Sequence, residues 1–321
     1  MPNSRKKISV LTACFNEEEN IFEIYSQVKE QFDKLPQYDY EHVFIDNDSG
    51  DGTVDILRDI AANDSAVRVI VNSRNFGHVR SPYHGILQCR GEAVIYIVAD
   101  LQDPPEMIPR FLEKWEEGYK IVIGVKEGSE ENYLMYRIRS LYYDILERIS
   151  EVDQIKNYTC FGLYDQSFVA LLRTLDDPYP YLRGQVAEFG FNRYAVPYKQ
   201  PRRKAGETKN NFYTLYDMAM NGFVNHSKVP LRLAGLVGFI SAGVSFLTGF
   251  FYLIYKLMFW DEFDLGIAPM VIGFFFFSSI QLIFIGMIGE YVGAVYTQVK
   301  KRPLVIERER INFDKDRENE S

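Results

Sequence analysis

The chain has 321 residues, 47% hydrophobic and 25% charged, with a formal net charge of −8. This length suits a full catalytic domain with a smaller appendage and excludes a single small module. The acidic balance excludes a general nucleic-acid binder, which needs a basic face for phosphate, and the three cysteines, Cys14, Cys89 and Cys160, show no metal-site spacing and suit a reducing compartment.

The first ten residues carry basic side chains but no apolar run, so no signal peptide is expected and the first domain is expected in the cytoplasm. From there short apolar runs alternate with helical patterns. The expected strands are Ile8–Ala13, Tyr40–Ile45, Val67–Asn72, Ala93–Ala99 and Lys120–Val125. The expected helices are Glu18–Phe32, Thr53–Asn63, Arg80–Cys89 and Glu106–Trp115. Alternation of this kind predicts an α/β domain with a mainly parallel sheet, in which ligands bind at the carboxyl ends of the strands.

Those ends are polar. The first strand runs into Phe15, Asn16 and Glu17, and the second into Asp46, Asn47 and Asp48. The third runs into Asn75, Phe76, Gly77 and His78, and the fourth into Asp100, Leu101, Gln102 and Asp103. In an extended stretch Asp100 and Gln102 point the same way and can grip one hard cation. Asp46 is placed to accept hydrogen bonds from a base or ribose, although the segment Asp46–Thr53 also reads as a turn and helix cap. His78 is balanced between a diphosphate contact and loop packing, and Cys160 reads as a neutral buried thiol.

Beyond Phe191 the segment to Ser227 is basic and aromatic, with Arg202, Arg203, Lys204, Lys209, Phe212, Tyr213 and Tyr216, and suits a lipid headgroup layer. Leu233–Tyr255 and Leu265–Gly289 hold no charged residue, and each exceeds the roughly 20 residues that cross a bilayer as a helix. Lys228 and Arg232 precede the first run, Lys300, Lys301 and Arg302 follow the second, and Asp261, Glu262 and Asp264 lie between them. This asymmetry predicts a membrane protein with both termini cytoplasmic. The expected domains are therefore a catalytic unit over 1–190, a juxtamembrane segment over 191–228 and a two-helix transmembrane hairpin over 229–299. A charged cytoplasmic tail over 300–321, solvated as a helix or disordered from Glu307, completes the chain. Small faces at Gly289 and Gly293 allow homo-oligomers through the helices.

The ordered motifs Phe15–Asn20, Asp46–Thr53, Arg74–His78 and Asp100–Glu106 resemble those of the family 2 glycosyltransferases. Within that family the chain is similar to bacterial polyprenyl-phosphate (undecaprenyl-phosphate) glycosyltransferases, relatives of dolichol-phosphate mannose synthase. The similarity continues through Tyr181–Gly184, Arg203–Lys209, Pro230–Ala234 and Ile288–Gly293, up to about Pro303. The resemblance implies a GT-A-like fold, Mg2+ or Mn2+, and inverting transfer of a hexose from a UDP- or GDP-sugar to polyprenyl phosphate at an inner cell membrane. It implies that Asp100 and Gln102 hold metal and diphosphate, and that Phe15, Asn16, Glu17, Asp46, Asn75 and Gly77 hold the nucleotide sugar. It also implies that Asp103 joins Asp100 as a catalytic carboxylate. Arg137, Arg139 and Arg203 become candidates for the acceptor phosphate, which a guanidinium matches with two parallel hydrogen bonds.

Three positions depart from the family pattern: Val98 replaces an acid two residues before Asp100, Asn47 replaces the second acid of its turn, and Cys160 replaces an Asp. A non-catalytic membrane scaffold with the same fold is the competing reading.

Overall fold

The computed structural model describes residues 5–127, 155, 157–175, 177–178, 180–201, 229–259, 267–300 and 302–313. The chain divides into two compact units, one holding the strands and their covering helices, the other holding two long helices.

In the first unit the expected alternation forms. Strand β1 (Lys6–Cys14) leads to α1 (Ile21–Asp33), β2 (Tyr38–Asp46) to α2 (Thr53–Asn63), and β3 (Val67–Asn72) to α3 (Gly77–Gln88). Strand β4 (Ala93–Val98) is followed by a 3-10 turn at Pro105–Met107, α4 (Ile108–Glu116) and β5 (Ile121–Lys126). Sequence reasoning did not reach β6 (Tyr158–Asp165), α5 (Gln166–Arg173), α6 (Leu182–Glu188) or β7 (Arg193–Tyr198). The catalytic sheet thus extends past residue 190, into the region expected to be juxtamembrane.

These strands and a final one, β8 (Glu307–Ile311), form one mixed sheet in the order β7-β5-β6-β4-β1-β2-β3-β8. Its centre, β4-β1-β2-β3, is parallel, whereas β6 and β8 run antiparallel to their neighbours. The central strands read as continuous apolar runs because both faces are covered. Ile8, Val10, Phe44, Val69 and Ile95 pack with Ile24, Leu57 and Phe111 on one face. Leu11, Ile45, Ile70 and Tyr96 pack with Ile86, Phe168 and Leu172 on the other. At the amino half of the sheet buried Glu41 accepts from Ser9 at 2.6 Å and pairs with Lys7 at 2.8 Å and Arg68 at 2.9 Å, tying three strands together.

The tail corrects the sequence reading. Glu307–Ile311 is neither a solvated helix nor disordered; it pairs antiparallel with β3 and closes what would otherwise be an open sheet edge. Its charges find partners on the helices: Glu307 with His84 at 2.6 Å, Glu309 with Arg58 at 2.7 Å, and Arg310 with Gln88 at 2.9 Å. Ile311 packs against the core, and the Asn312 amide donates to the carbonyls of Ala61 at 2.6 Å and Val67 at 3.0 Å.

In the second unit both apolar runs are helical, α7 over Val229–Met258 and α8 over Ile267–Val299. Among the described residues Phe276–Val299 is long and apolar enough to cross a membrane, by length and composition. The apolar stretch of α7, Gly235–Phe251, is shorter. At 1.5 Å per residue it covers about 25 Å, against a hydrocarbon core of about 30 Å. One candidate span therefore meets the length, against the two expected. Phe239, Phe246, Phe274 and Leu282 are exposed on these helices, an apolar surface that calls for lipid or protein cover.

Burial alone would raise the Glu307 carboxyl, but hydrogen bonds from His84 and Arg310 hold it down at about 2. A carboxylate lowered in the folded state stabilises it above its unfolded value, near 4.3, and loses that contribution as pH falls toward about 2. The protection factors of the β8 amides, referred to the intrinsic exchange rate at each pH, should therefore fall across that acid window, and Glu307→Gln should weaken protection at neutral pH and flatten the acid response. Parallel profiles for the two proteins would show that this carboxylate does not hold the strand.

Candidate active site

The carboxyl ends of β4, β1, β2 and β3 lie side by side: Ala13 is level with Val98, Cys14 with Asp46, and Asp46 with Val71. The loops that leave these ends are bonded to one another through side chains. Asn16, left-handed at φ 55, donates its backbone N–H to the Ser49 hydroxyl at 2.9 Å, and its side-chain oxygen accepts from Gly50 N–H at 2.8 Å. Glu17 N–H donates to Thr53 Oγ1 at 2.9 Å, and Gly52 N–H to Glu18 Oε2 at 2.7 Å. Asp51 caps α2 by accepting from Thr53 N–H at 3.1 Å and from its hydroxyl at 2.6 Å. The helix-start role foreseen for this segment thus falls on Asp51 and Thr53.

Asp46 is fully buried. One of its oxygens accepts from Ser49 N–H at 3.0 Å and the other from the Ser49 hydroxyl. Burial pushes its carboxyl up, partly offset by the Ser49 hydrogen bonds. Through these bonds Asp46 shapes the turn after β2. Asp48 takes the left-handed backbone, φ 66, that Asp adopts more readily than most residues.

Asn47 joins the second loop to the third. Its amide nitrogen donates to Asn75 Oδ1 at 2.8 Å and to the Gly77 carbonyl at 3.3 Å. Its oxygen accepts from Phe76 N–H at 2.9 Å and Asn72 Nδ2 at 3.1 Å. A carboxylate offers acceptors only and cannot reproduce the two donated bonds. The departure from the family's second acid is therefore matched by acceptors built around it. Asn75 Oδ1 also takes Gly77 N–H at 2.8 Å, and Gly77, at φ 88, starts α3. His78 stands exposed beside it.

Past β4 the chain turns. Leu101 is left-handed at φ 59 and buried, and Gln102 N–H donates to Asp100 Oδ1 at 3.1 Å. The expected period-two alternation of Asp100 and Gln102 therefore does not hold, because the strand ends at Val98 and the backbone reverses hand. Both side chains are half-buried at the strand end. Asp103 is 2% exposed and accepts from the Tyr198 hydroxyl at 3.0 Å. Burial pushes its carboxyl up to about 7, with the Tyr198 bond and the Lys126 charge offsetting only part of that. Asp103 is thus a buried acid, and the nearby charge of Asp100 adds to the upward push.

Cys160 takes φ 70, and its carbonyl accepts from the Tyr164 hydroxyl at 2.6 Å. Burial raises its thiol while the Arg183 guanidinium acts against that shift. The thiol is neutral, and the family's Asp at this position would face Arg183. Arg137, Arg139 and Arg203 lie outside the described residues. Sequence reasoning missed Tyr198, whose partner Asp103 is far off in sequence, and left Arg183 inside a quoted motif without a role.

Among the described residues no three His, Cys, Asp or Glu side chains converge as a metal cage. One half-buried carboxylate at a strand end still fits a hard divalent ion that takes its other oxygens from substrate phosphates and water.

Residues 9–173 match the family described as Glycosyl transferase family 2. The uncharacterized glycosyltransferase YkcC of Bacillus subtilis is 35% identical over 93% of this chain and 92% of its own length. The bactoprenol glucosyl transferase of Shigella phage SfX is 34% identical over 92% of this chain and 97% of its own. Among solved structures, glucosyl-3-phosphoglycerate synthase from Mycobacterium tuberculosis, in complex with Mn2+, UDP and phosphoglyceric acid, is 18% identical with a TM-score of 0.45. It covers 68% of this chain and 76% of its own.

Asn47→Ala should remove the partners of Asn72, Phe76 and Asn75 at once and cost about 1–3 kcal/mol of stability. Chemical denaturation reads this directly, and an unchanged midpoint would mean that these loops are not joined through Asn47.

Proposed function

Because the chain belongs to the family 2 glycosyltransferases, we propose that it transfers a hexose from a nucleoside diphosphate sugar to polyprenyl phosphate, with inversion at the anomeric carbon. The observation that carries this reading is the likeness to bactoprenol glucosyl transferases over nine-tenths of the chain, past the catalytic sheet and through the apolar helices. Glucose and UDP are the first donor to test, since those relatives are named for glucose.

In this reaction an oxygen of the lipid phosphate forms the new bond to the anomeric carbon as the bond to the nucleoside diphosphate breaks. The attacking oxygen is already anionic, so no strong base is needed. Positioning and charge stabilisation carry the rate. The interlocked loops after β1, β2 and β3 hold the nucleotide, and Asp100 with Gln102 faces the diphosphate. Asp100 and Gln102 would hold Mg2+ or Mn2+, which would supply positive charge to offset that growing on the leaving group. Arg137, Arg139 and Arg203 are assigned to the acceptor phosphate.

Helix α8, with α7 as a second and shorter apolar partner, anchors the enzyme in the membrane with its catalytic unit on the cytoplasmic side. This places the active site in the compartment that supplies nucleotide sugars. A catalytically silent scaffold is the second reading, favoured by Val98, which leaves one fewer acid at the end of β4.

Purified protein supplied with undecaprenyl phosphate, Mn2+ and UDP-glucose should release UDP and form a lipid-linked hexose. Asp100→Ala should lower turnover by about a hundredfold or more, the scale of losing one charge-stabilising group, with the melting temperature unchanged. Tight nucleotide binding with no turnover from any donor would establish the scaffold instead.

A further inference from the structure

The tail strand reaches the site. Along β3 and β8 the pairing runs Ile70 with Arg310, Val71 with Glu309, and then Asn72 with Glu307. One residue advances on β3 while two advance on β8, so Arg308 is the extra residue of a β-bulge. Bulges of this kind re-aim a side chain, often beside an active site. In a regular strand Arg308 and Arg310 would share a face. Here Arg310 lies with Glu307 and Gln88, while Arg308 Nη1 pairs with Asp48 Oδ1 at 3.1 Å. The guanidinium and the carboxylate are 48% and 36% exposed, so the pair sits at the mouth of the β2 loop and not in the core. The positive charge of Arg308 also acts on buried Asp46.

We propose that Arg308 is a positioning residue of the donor subsite: by clasping Asp48 it holds the turn after β2 in the shape that receives the nucleotide. This rests on the assignment of that turn to the nucleotide made above. The turn has its own internal bonds from Asp46 to Ser49, but the left-handed Asp48 at its crest is secured from outside by Arg308. The segment after the membrane helix thereby carries a part of the nucleotide site.

The test compares Arg308→Ala, Arg308→Lys, Asp48→Asn and the Arg308→Ala/Asp48→Asn double variant with the wild type, all as full-length protein. Asn keeps the left-handed preference of position 48 while removing its charge. UDP and GDP binding is measured by calorimetry, and donor KM and kcat by turnover. Arg308→Ala and Asp48→Asn should each weaken nucleotide binding and raise donor KM roughly three- to fivefold, with kcat within about twofold, the scale of one exposed ion pair. The double variant should be no worse than either single one, and Arg308→Lys should fall between Arg308→Ala and wild type.

Glu309→Ala, which breaks the Arg58 pair in the same strand, is the control for loss of the strand itself. Unchanged binding in Arg308→Ala overturns the proposal and leaves the glycosyltransferase reading standing. So does a loss that Glu309→Ala reproduces with the same fall in melting temperature. A wild type that binds neither UDP nor GDP overturns both.

Discussion

The structure depends on satisfying polar groups where the parallel ladder stops. Beyond Cys14, Asp46, Asn72 and Val98 the backbone leaves the sheet, yet several of its N–H groups stay close to the core. A buried donor without a partner costs about 1–3 kcal/mol. Asp46 and Asp51 supply partners within the β2 loop, and Asn47, Asn16 and Glu18 supply them across loop boundaries. Each bond is worth little net. Together they join the three loops after β1, β2 and β3 into one body.

The same arrangement sets the charge of the site. A diphosphate donor is repelled by carboxylates that no cation screens. Of the acids that the sequence places at these strand ends, Asp46 is closed off under Ser49, and Asp103 is buried against Tyr198 with its carboxyl raised to about 7. Asp48 is matched by Arg308. Asp100, half-buried after β4, accepts from Gln102 N–H. Val98 leaves one fewer acid at the end of β4.

The first half of the fold was legible because its signal is local. Short continuous apolar runs and helices with period 3.6 alternate from Ile8 to Trp115, and the carboxyl ends of four strands lie side by side as read. What failed was governed by contacts distant in sequence or by single backbone torsions. The interior of β6 mixes Cys160 and Gly162 with aromatics and shows no clean alternation. Gly162 is needed there because a Cβ would stand 2.4 Å from the Val122 carbonyl oxygen, on a neighbouring strand. The geometry at Asp100 turned on one left-handed residue, Leu101, whose type gives no hint of it. Asn47 looked like a lost acid, and only its four partners show why an amide serves.

The tail was hidden for a further reason. Glu307-Arg308-Glu309-Arg310 has no apolar alternation, so by pattern it reads as solvated. Its alternation is one of charge sign, and the complementary groups, His84, Arg58 and Asp48, are more than two hundred residues earlier. The exposed pairs of Glu309 with Arg58 and Arg308 with Asp48 contribute at most about 1 kcal/mol each, and with the more buried Glu307–His84 pair they do not hold the strand alone. The backbone ladder with β3, the packing of Ile311 and the two carbonyls bonded by Asn312 do that. The charges settle register instead: a one-residue slip would turn Glu309 away from Arg58 and Glu307 away from His84. Register in turn decides where the bulge falls, and the bulge decides that Arg308, rather than a glutamate, meets Asp48. A glutamate there would set two carboxylates against each other at the turn after β2, so the order of charges in the tail is itself constrained by Asp48.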